Sequence, residues 1–343
     1  MKYLKILFFL FLLIGSIVIL RNHQDTVSQP YHSSVGRAFG TTYRVVYQAS
    51  VPQDSIIQLS LSAVDSSLSM FNPKSTLACI NSGSSNKVDT LFRHVFELAR
   101  KVSEATHGAF DPTVAPAVNA WGFGPEGKRE LSREEIDSIS HLVGYQQVSL
   151  MGDSLIFNTE SQVTLDFGAI AKGFAVDYVA QKLREEGVTN YMVEIGGEVV
   201  VSGVNDKGES WRIGVQSPDA HQATLQKVIQ LKDAAMATSG NYRNYYVNDE
   251  GVKVAHTIDP RTACPVSHSL LSATVLAPSC AIADAYATAF MVLGVEDSKR
   301  ILENHPELSV YFIYSEQDSI QVYSTILCAH GLLYVKYASC CIQ

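Results

Sequence analysis

The chain has 343 residues, 46% of them hydrophobic and 17% charged, which is the balance of a globular protein with a full hydrophobic core. Its formal net charge is −8, and no block rich in lysine or arginine is present. Nucleic-acid binding depends on a positive surface that releases counterions, so this class of function is not expected. The six cysteines show neither a CxxC pair nor a zinc-binding spacing, and no disulfide framework is required.

The first 22 residues predict where the chain resides. Two lysines precede the apolar run at residues 6–20, which is short for a bilayer span of roughly 17–25 residues. No small-x-small cleavage site and no cysteine for lipid attachment follow. We therefore expect residues 1–22 to be an inner-membrane anchor, with the body on the periplasmic side by the positive-inside rule. A cleaved signal peptide is the alternative, and it also exports the body.

The remaining chain reads as a tether at residues 23–34, one α+β domain at residues 35–327 and an atypical tail at residues 328–343. Apolar spacing predicts helices at residues 57–68, 92–102 and 170–186, and a capping box at Ser132 and Glu135 predicts another. Residues 279–293 form an alanine-rich helical pattern followed by Gly294. Strands are predicted at residues 39–47, 193–201 with an interruption at the two glycines, 310–314 and 320–323.

Two segments combine an acid, glycines and a turn. In GAFDPTVAPAVNAWGFG (residues 108–124), Asp111 could accept hydrogen bonds from a ligand, or could cap its own turn. In LDFGAIAKGFAVD (residues 165–177), a strand ends at Asp166 and a helix follows, so backbone N–H groups are available to an anion. Lys172, one turn into that helix, could reach a phosphate. Alternatively, these residues form a capped strand-to-helix turn, and the lysine is exposed to solvent.

A third region, residues 237–246 and 255–266, presents Ser239, His256, Asp259 and Arg261 on glycine and proline turns. A histidine and an aspartate three residues apart, beside an arginine, suit acid–base chemistry on a phosphoryl group. The alternative is a structural turn that the arginine holds together.

The fourth segment is the alanine-rich helical pattern. Asp284 and Thr288 stand i, i+4, so their oxygens face one side of the helix. Hard oxygen donors of this kind suit magnesium. Alternatively, Thr288 bonds only to its own helix.

In order and spacing, these segments resemble the ApbE family of FAD:protein FMN transferases. The resemblance runs from about Phe39 to Gly294 and implies a single two-lobed domain with mixed and antiparallel sheets flanked by helices, and an FAD cleft between the lobes. It implies Mg²⁺-dependent transfer of the FMN half of FAD, as a phosphoester, to a threonine or serine hydroxyl of an exported acceptor such as a redox-pump subunit, with release of AMP. The acceptor context is typically Asp-Gly-x-Ser/Thr-x-Ala-Thr. The strings that carry the resemblance are LSMFNPKSTLACIN, GAFDPTVAPAVNAWGFG, LDFGAIAKGFAVD, IGGEVVVSG, ATSGNYR, HTIDPRT and IADAYATAF.

Matched position by position, the resemblance implies that the metal ligands are the Ala169 carbonyl, Asp284 and Thr288. The catalytic residues would be Asp284 and His256, the latter as the base that takes the hydroxyl proton. Contacts to the flavin and the nucleotide would come from Phe39, Phe71, Ala109, Phe110, Asp111, Asp166, Lys172, His256 and Thr257.

The sequence departs from the family pattern at two of these residues and at Ala263. Phe39 stands where methionine is usual and Phe71 where tyrosine is common, and both preserve an apolar wall. Ala263 replaces a glycine, which makes a positive φ less accessible there. Two alternatives to FMN transfer remain: hydrolysis of FAD to FMN and AMP at the same site, and flavin binding without chemistry.

Overall fold

The computed structural model describes residues 29–123, 131–158, 163–216, 225–241, 245–247, 253–317, 319–329 and 332–334. The anchor predicted for residues 1–22 lies outside these residues, as do half of the predicted tether and most of the predicted tail. None of the helices in the described ranges combines the length and the hydrophobicity that a membrane crossing requires.

The described residues form eighteen strands and seven α-helices, with a 3-10 turn at Tyr145–Gln147. The helices are α1 (Asp54–Leu68), α2 (Thr76–Asn81), α3 (Thr90–Ala105), α4 (Ala115–Ala120), α5 (Arg133–Ser140), α6 (Ala171–Glu185) and α7 (Cys280–Glu303). The strands are β1 (Tyr31–Ala38), β2 (Thr41–Gln48), β3 (Val148–Met151), β4 (Ser154–Phe157), β5 (Tyr191–Ile195), β6 (Glu198–Ser202), β7 (Trp211–Gln216), β8 (Leu225–Leu231), β9 (Ala234–Gly240), β10 (Tyr245–Val247), β11 (Lys253–Ala255), β12 (Ile258–Asp259), β13 (Cys264–Pro265), β14 (Leu270–Ala277), β15 (Ser309–Glu316), β16 (Ser319–Ser324), β17 (Leu327–Ala329) and β18 (Leu332–Tyr334).

An eight-stranded antiparallel sheet, in the order β1-β2-β5-β6-β9-β14-β15-β16, organises the domain. Alternate residues of its strands point to opposite faces and enter two different cores. Val200 packs into the large core together with residues of α1, α3, α6 and α7. Its neighbours Val199 and Val201 pack into a second core with Trp211 and Ile229 of β7 and β8. The sheet is therefore covered by helices on one face and by a smaller sheet on the other.

The smaller sheet has the order β17-β18-β8-β7 and is mixed, because β18 runs parallel to β8 while the other pairs are antiparallel. Three two-stranded ribbons, β3-β4, β10-β11 and β12-β13, complete the described strands. The predicted α+β fold with antiparallel and mixed sheets is confirmed.

The helices predicted from periodicity are present. Helix α1 buries Ile57, Leu61, Val64 and Leu68, as their spacing requires. The capping box at the start of α5 is formed in both directions. The helix predicted at residues 279–293 is longer than expected: Gly294 leaves the helical conformation at φ 74° and ψ −176°, and the helix then resumes as far as Glu303.

Three sequence expectations are corrected at the strands. Phe39 and Gly40 are the turn between β1 and β2 rather than the start of a strand. Residues 31–34, assigned to the tether, pair with β2 as part of β1. Residues 193–201 are two strands of a hairpin, because Gly196 and Gly197 both adopt positive φ and turn the chain back.

The predicted tail at residues 328–343 is also corrected in its described part. Cys328 and Ala329 belong to β17, and residues 332–334 form β18, which lies beside β8. The sequence predicts that the domain ends at residue 327, but the pairing of β18 with β8 extends it to Tyr334.

Candidate active site

A cavity of about 510 Å³ opens between α1, α4, the start of α6 and the β1–β2 turn. A volume of this order is typical of small-molecule sites. Four residues predicted to contact a flavin nucleotide line it together: Phe39, Phe71, Asp166 and Lys172. The other lining residues are Val64, Leu68, Ser69, Met70, Ala115, Val118, Asn119, Phe123, Gly168 and Ala171.

One wall of the cavity is apolar and unusually exposed. Phe71 is 94% exposed and Met70 is 40% exposed, although both line the cavity. Phe39 stands at the tip of the β1–β2 turn with φ 51°, a conformation that costs a non-glycine residue roughly 1–2 kcal/mol. Exposed aromatic rings and a strained backbone are both expected where a protein presents a surface to a ligand.

The opposite wall begins at Asp166 and the first turn of α6. Asp166 Oδ1 accepts a hydrogen bond from the Gly168 backbone N–H at 2.6 Å, and burial raises the pKa of this carboxyl group. Gly173 carries one of the first-turn N–H groups that have no partner inside a helix. Asp284 Oδ2 accepts from it at 3.1 Å. The sequence predicts that N–H groups at the start of this helix are free to bind an external anion. In the structure, the N–H of Gly173 already donates to the carboxylate of Asp284.

Lys172 lies between two carboxylates at this wall. Its Nζ donates to Glu198 Oε1, and the negative charge of Asp284 acts on the same ammonium. Burial lowers the pKa of Lys172, but the two carboxylates outweigh burial and leave this pKa raised. Burial, reinforced by Asp284, raises the pKa of Glu198 to about 7. Burial likewise raises the pKa of Asp284, which Lys172 partly offsets.

Glu198 was missed as a site residue by the sequence analysis. The signal was present, since a single acid stands between a glycine pair and the apolar run Val199–Val200–Val201. A charged residue in a buried strand is costly and needs a partner. The partner, Lys172, is 26 positions away and could not be identified from local sequence.

Asp284 and Thr288 face one side of α7, as the i, i+4 spacing predicts. Thr288 Oγ1 lies 3.3 Å from Ser239 Oγ. Ser239, which the sequence predicts to be on a turn, lies near the end of β9, so this strand meets the helix. Asp284 is 3% exposed. Across the described ranges, no three histidine, cysteine, aspartate or glutamate side chains converge as a metal site. The predicted magnesium ligands are one carboxylate, one hydroxyl and one backbone carbonyl, so they include only one side chain of these four types.

Comparison with known proteins identifies the family. The model of the ApbE family matches residues 39–312. The chain belongs to the ApbE family.

Individual relatives agree with this assignment. A Vibrio cholerae protein named FAD:protein FMN transferase is 34% identical over 323 residues, which cover 91% of this chain and 95% of the relative. The Escherichia coli K12 protein of the same name is 33% identical over 301 residues, covering 84% and 85%. Among solved structures, the flavin transferase ApbE from Vibrio cholerae has a TM-score of 0.77 at 33% identity, covering 86% of this chain and 97% of that one. The apo flavinyl transferase ApbE of Pseudomonas stutzeri has a TM-score of 0.79 at 32% identity, covering 88% and 96%.

Asp111, expected from the family pattern to contact the nucleotide, is engaged by its own turn and by the distant Tyr145. Its Oδ1 accepts from the backbone N–H and the hydroxyl of Thr113 at 2.8 and 2.6 Å, and its Oδ2 accepts from the Tyr145 N–H at 2.8 Å. Burial raises the pKa of Asp111, although these hydrogen bonds oppose the shift. Ala109 and Phe110 are buried beside it. The residues that line the cavity do not include these three, and their contact with a ligand stays a prediction.

The His256–Thr257 turn lies near the apolar wall. The His256 ring meets Phe123, which lines the cavity, edge to face with 6.2 Å between ring centroids. Thr257 Oγ1 donates to Asn241 Oδ1 at 2.6 Å. Through its contact with Phe123, the histidine lies next to the cavity.

Asp259 and Arg261 form the arginine-held turn that was the alternative to acid–base chemistry. Arg261 Nε and a terminal nitrogen donate to the two oxygens of Asp259 at 2.9 and 2.8 Å. Ala263, where the family pattern has glycine, adopts φ 54° and is buried, and its carbonyl accepts from Trp121 Nε1 at 2.8 Å. The turn therefore keeps the positive φ despite the substitution.

Proposed function

We propose that this chain is an FAD:protein FMN transferase, which moves the FMN half of FAD onto a threonine or serine hydroxyl of another protein. The observation that carries the proposal is one cavity lined both by the aromatic rings of Phe39 and Phe71 and by Lys172, whose ammonium is paired with Glu198. An apolar wall suits a planar ring, and a buried ammonium suits a phosphate. The names of the relatives given above support the same activity.

In this reaction the acceptor oxygen attacks the phosphorus atom of the FMN half. The new bond is an ester P–O bond, and the bond that breaks is the P–O bond to the AMP half, which leaves with the bridging oxygen. The hydroxyl proton must pass to a base, and His256 is the candidate because an imidazole titrates near neutral pH and lies beside the cavity wall. Lys172 balances charge on the phosphates.

A magnesium ion fits the residues present. Beside the cavity, the acidic groups of Glu198 and Asp284 outnumber the single ammonium of Lys172. The Ala169 carbonyl, Asp284 and Thr288 are the residues that would hold the ion, and all three are hard oxygen donors. Such an ion supplies neutralisation of pyrophosphate charge when it is bound.

The compartment is part of the same proposal. We place the enzyme at the inner membrane with its body on the periplasmic side, because of the lysine-flanked apolar run at residues 6–20. Its acceptors are then exported proteins such as redox-pump subunits. Cell fractionation with N-terminal sequencing tests this, and a soluble product that begins after residue 20 would overturn the anchor while leaving export intact.

The activity is tested with the purified chain, FAD, Mg²⁺ and an acceptor protein that carries an Asp-Gly-x-Thr-x-Ala-Thr segment. We expect release of AMP together with covalent flavin on the acceptor threonine, detected by mass spectrometry and in-gel fluorescence. An acceptor with that threonine changed to valine is the matched control. AMP release without attachment would show hydrolysis of FAD instead. FAD binding without AMP release would show a flavin carrier.

A further inference from the structure

Glu198 occupies an unfavourable position for an acid. It is the first residue of β6, directly after the Gly196–Gly197 turn, and is 3% exposed. One carboxylate oxygen, Oε1, accepts from Lys172. The other, Oε2, is buried and has no hydrogen-bond partner among the described residues.

The sheet itself does not need this carboxylate. The following residues of β6 are valines that fill the two cores, and an apolar side chain would fit the strand at lower cost. A buried carboxylate with one unsatisfied oxygen weakens the fold unless it is compensated. The structural reason for Glu198 must therefore come from its contact with Lys172.

Lys172 has two acids within electrostatic range. Glu198 holds the ammonium by a hydrogen bond, and Asp284 attracts it by charge. Asp284 is also bonded to the start of α6 through Gly173, so its place is set by the backbone. If Glu198 were neutral, the strongest remaining attraction on the flexible lysine would be Asp284. The ammonium would then neutralise the carboxylate that is the metal-ligand candidate.

We propose that Glu198 is a positioning residue, which holds the Lys172 ammonium in the cavity wall for a phosphate of the bound flavin nucleotide and keeps it apart from Asp284. This inference rests on the proposed function for the identity of the ligand. Glu198 acts through Lys172, whose ammonium donates to its Oε1.

The test is a double-mutant cycle of Glu198→Gln and Lys172→Met. Glutamine preserves the size of the side chain and removes its charge. The first readout is the dissociation constant for FAD, measured by quenching of flavin fluorescence in the presence of EDTA, so that no metal and no turnover contribute. The second is kcat and KM for AMP release with Mg²⁺. The thermal midpoint of each variant reports whether it folds.

In the parent background, we expect Glu198→Gln to weaken FAD binding roughly tenfold, as befits the loss of a coupled charge pair. In the Lys172→Met background, the same change should have almost no effect, since there is no ammonium to position. Glu198→Asp keeps the charge with a shorter reach and should fall between the parent and Glu198→Gln.

Glu194→Gln is the matched control. Glu194 lies in the same hairpin as Glu198 and pairs with Val199 of the neighbouring strand. Its carboxylate accepts a hydrogen bond from the backbone N–H of Gly197. This variant should leave FAD affinity unchanged.

Two results would overturn the proposal: equal losses from Glu198→Gln in both backgrounds, or no loss in the parent background. If the parent chain binds FAD but releases no AMP, the proposed function fails, whereas the coupling in the binding data still decides the role of Glu198.

Discussion

Gly173 and Cys280 lie so close that a Cβ atom on Gly173 would approach the carbonyl oxygen of Cys280 to 2.4 Å. Helices α6 and α7 therefore meet at a point where only a hydrogen atom fits. The carboxylate of Asp177, one turn further along α6, accepts from the backbone N–H groups of Cys280 and Ala281, both at 2.9 Å. This tight crossing is what brings Asp284 of α7 close to Lys172, which lines the cavity.

Gly173→Ala should destabilise the fold and reduce AMP release together. Overpacking of this kind costs about 1–3 kcal/mol. Alanine recovers at most about 1 kcal/mol through its better helix propensity, so the net effect is a loss. Chemical denaturation measures it. An unchanged free energy of unfolding would mean that the two helices can separate without cost.

Ala263→Gly should change the free energy of unfolding by less than about 1 kcal/mol, although Ala263 has a positive φ. Glycine relieves roughly 1–2 kcal/mol of left-handed strain. It also adds about 0.4–1 kcal/mol of unfolded-state entropy and removes a buried methyl group worth about 0.8 kcal/mol. Because these effects nearly cancel, alanine is tolerated where the family pattern has glycine.

Ala263→Val is the contrasting variant, because a β-branched residue with positive φ is a true outlier. It should be clearly less stable than both alanine and glycine in urea unfolding. Equal stability of all three would show that the turn readily leaves this conformation.

Asp284→Ala should abolish Mg²⁺-dependent AMP release, and Thr288→Ala should weaken it less. A carboxylate contributes more to a divalent cation than a neutral hydroxyl does. Asp284→Asn is the matched variant, because an amide can still accept from the Gly173 N–H while the charge is lost. AMP release is measured across a range of Mg²⁺ concentrations. Parent-like turnover by Asp284→Ala would show that the metal site lies elsewhere.

His256→Ala should lower the rate at saturating FAD by about 10²–10⁴-fold, the usual contribution of a general base. FAD affinity should remain close to that of the parent. Phe123→Leu, which alters the ring against which His256 packs, is the control and should keep most of the rate. If His256→Ala weakens binding while its saturated rate stays within a few-fold of the parent, the histidine positions the nucleotide and takes no proton.

Stability should depend on pH through Glu198. Burial and the charge of Asp284 raise the pKa of Glu198 from 4.5 to about 7, so between these values the folded chain binds a proton that the unfolded chain does not. The free energy of unfolding that this proton contributes is fully present below pH 4.5, and it is lost as pH rises from 4.5 to 7. Glu198→Gln cannot titrate and should show a flatter profile of unfolding free energy in this window. Glu194→Gln should keep the parent's slope.

The elements that the sequence predicted have local causes. Ser132 and Glu135 satisfy each other within one turn, and the apolar stripe of α1 repeats at helical spacing. Strand β1 was missed because it is an edge strand in which Ser34 is the one fully buried residue, so no apolar alternation marks it.

The parts of the site that sequence could not predict depend on distant partners. Glu198 is paired with Lys172, which is remote in sequence. Asp177 accepts from the backbone N–H of Cys280 at the start of α7, 103 positions away. Asp111 was predicted either to contact a ligand or to cap its own turn, and its hydrogen bond from the Tyr145 N–H could not be read from local sequence. Family resemblance named several of these residues but not what each one touches.

The bond between Gly173 and Asp284 joins positions 111 residues apart, and it has a consequence for the order in which the site arises. During translation, the segment with Phe39, Phe71 and Lys172 leaves the ribosome long before α7 does. A nascent or truncated chain that stops before Cys280 lacks both the Asp284 carboxylate and α7, one of the helices against which α6 packs. Capture of a nucleotide by its phosphates therefore belongs to the finished chain, and abortive fragments should not sequester flavin.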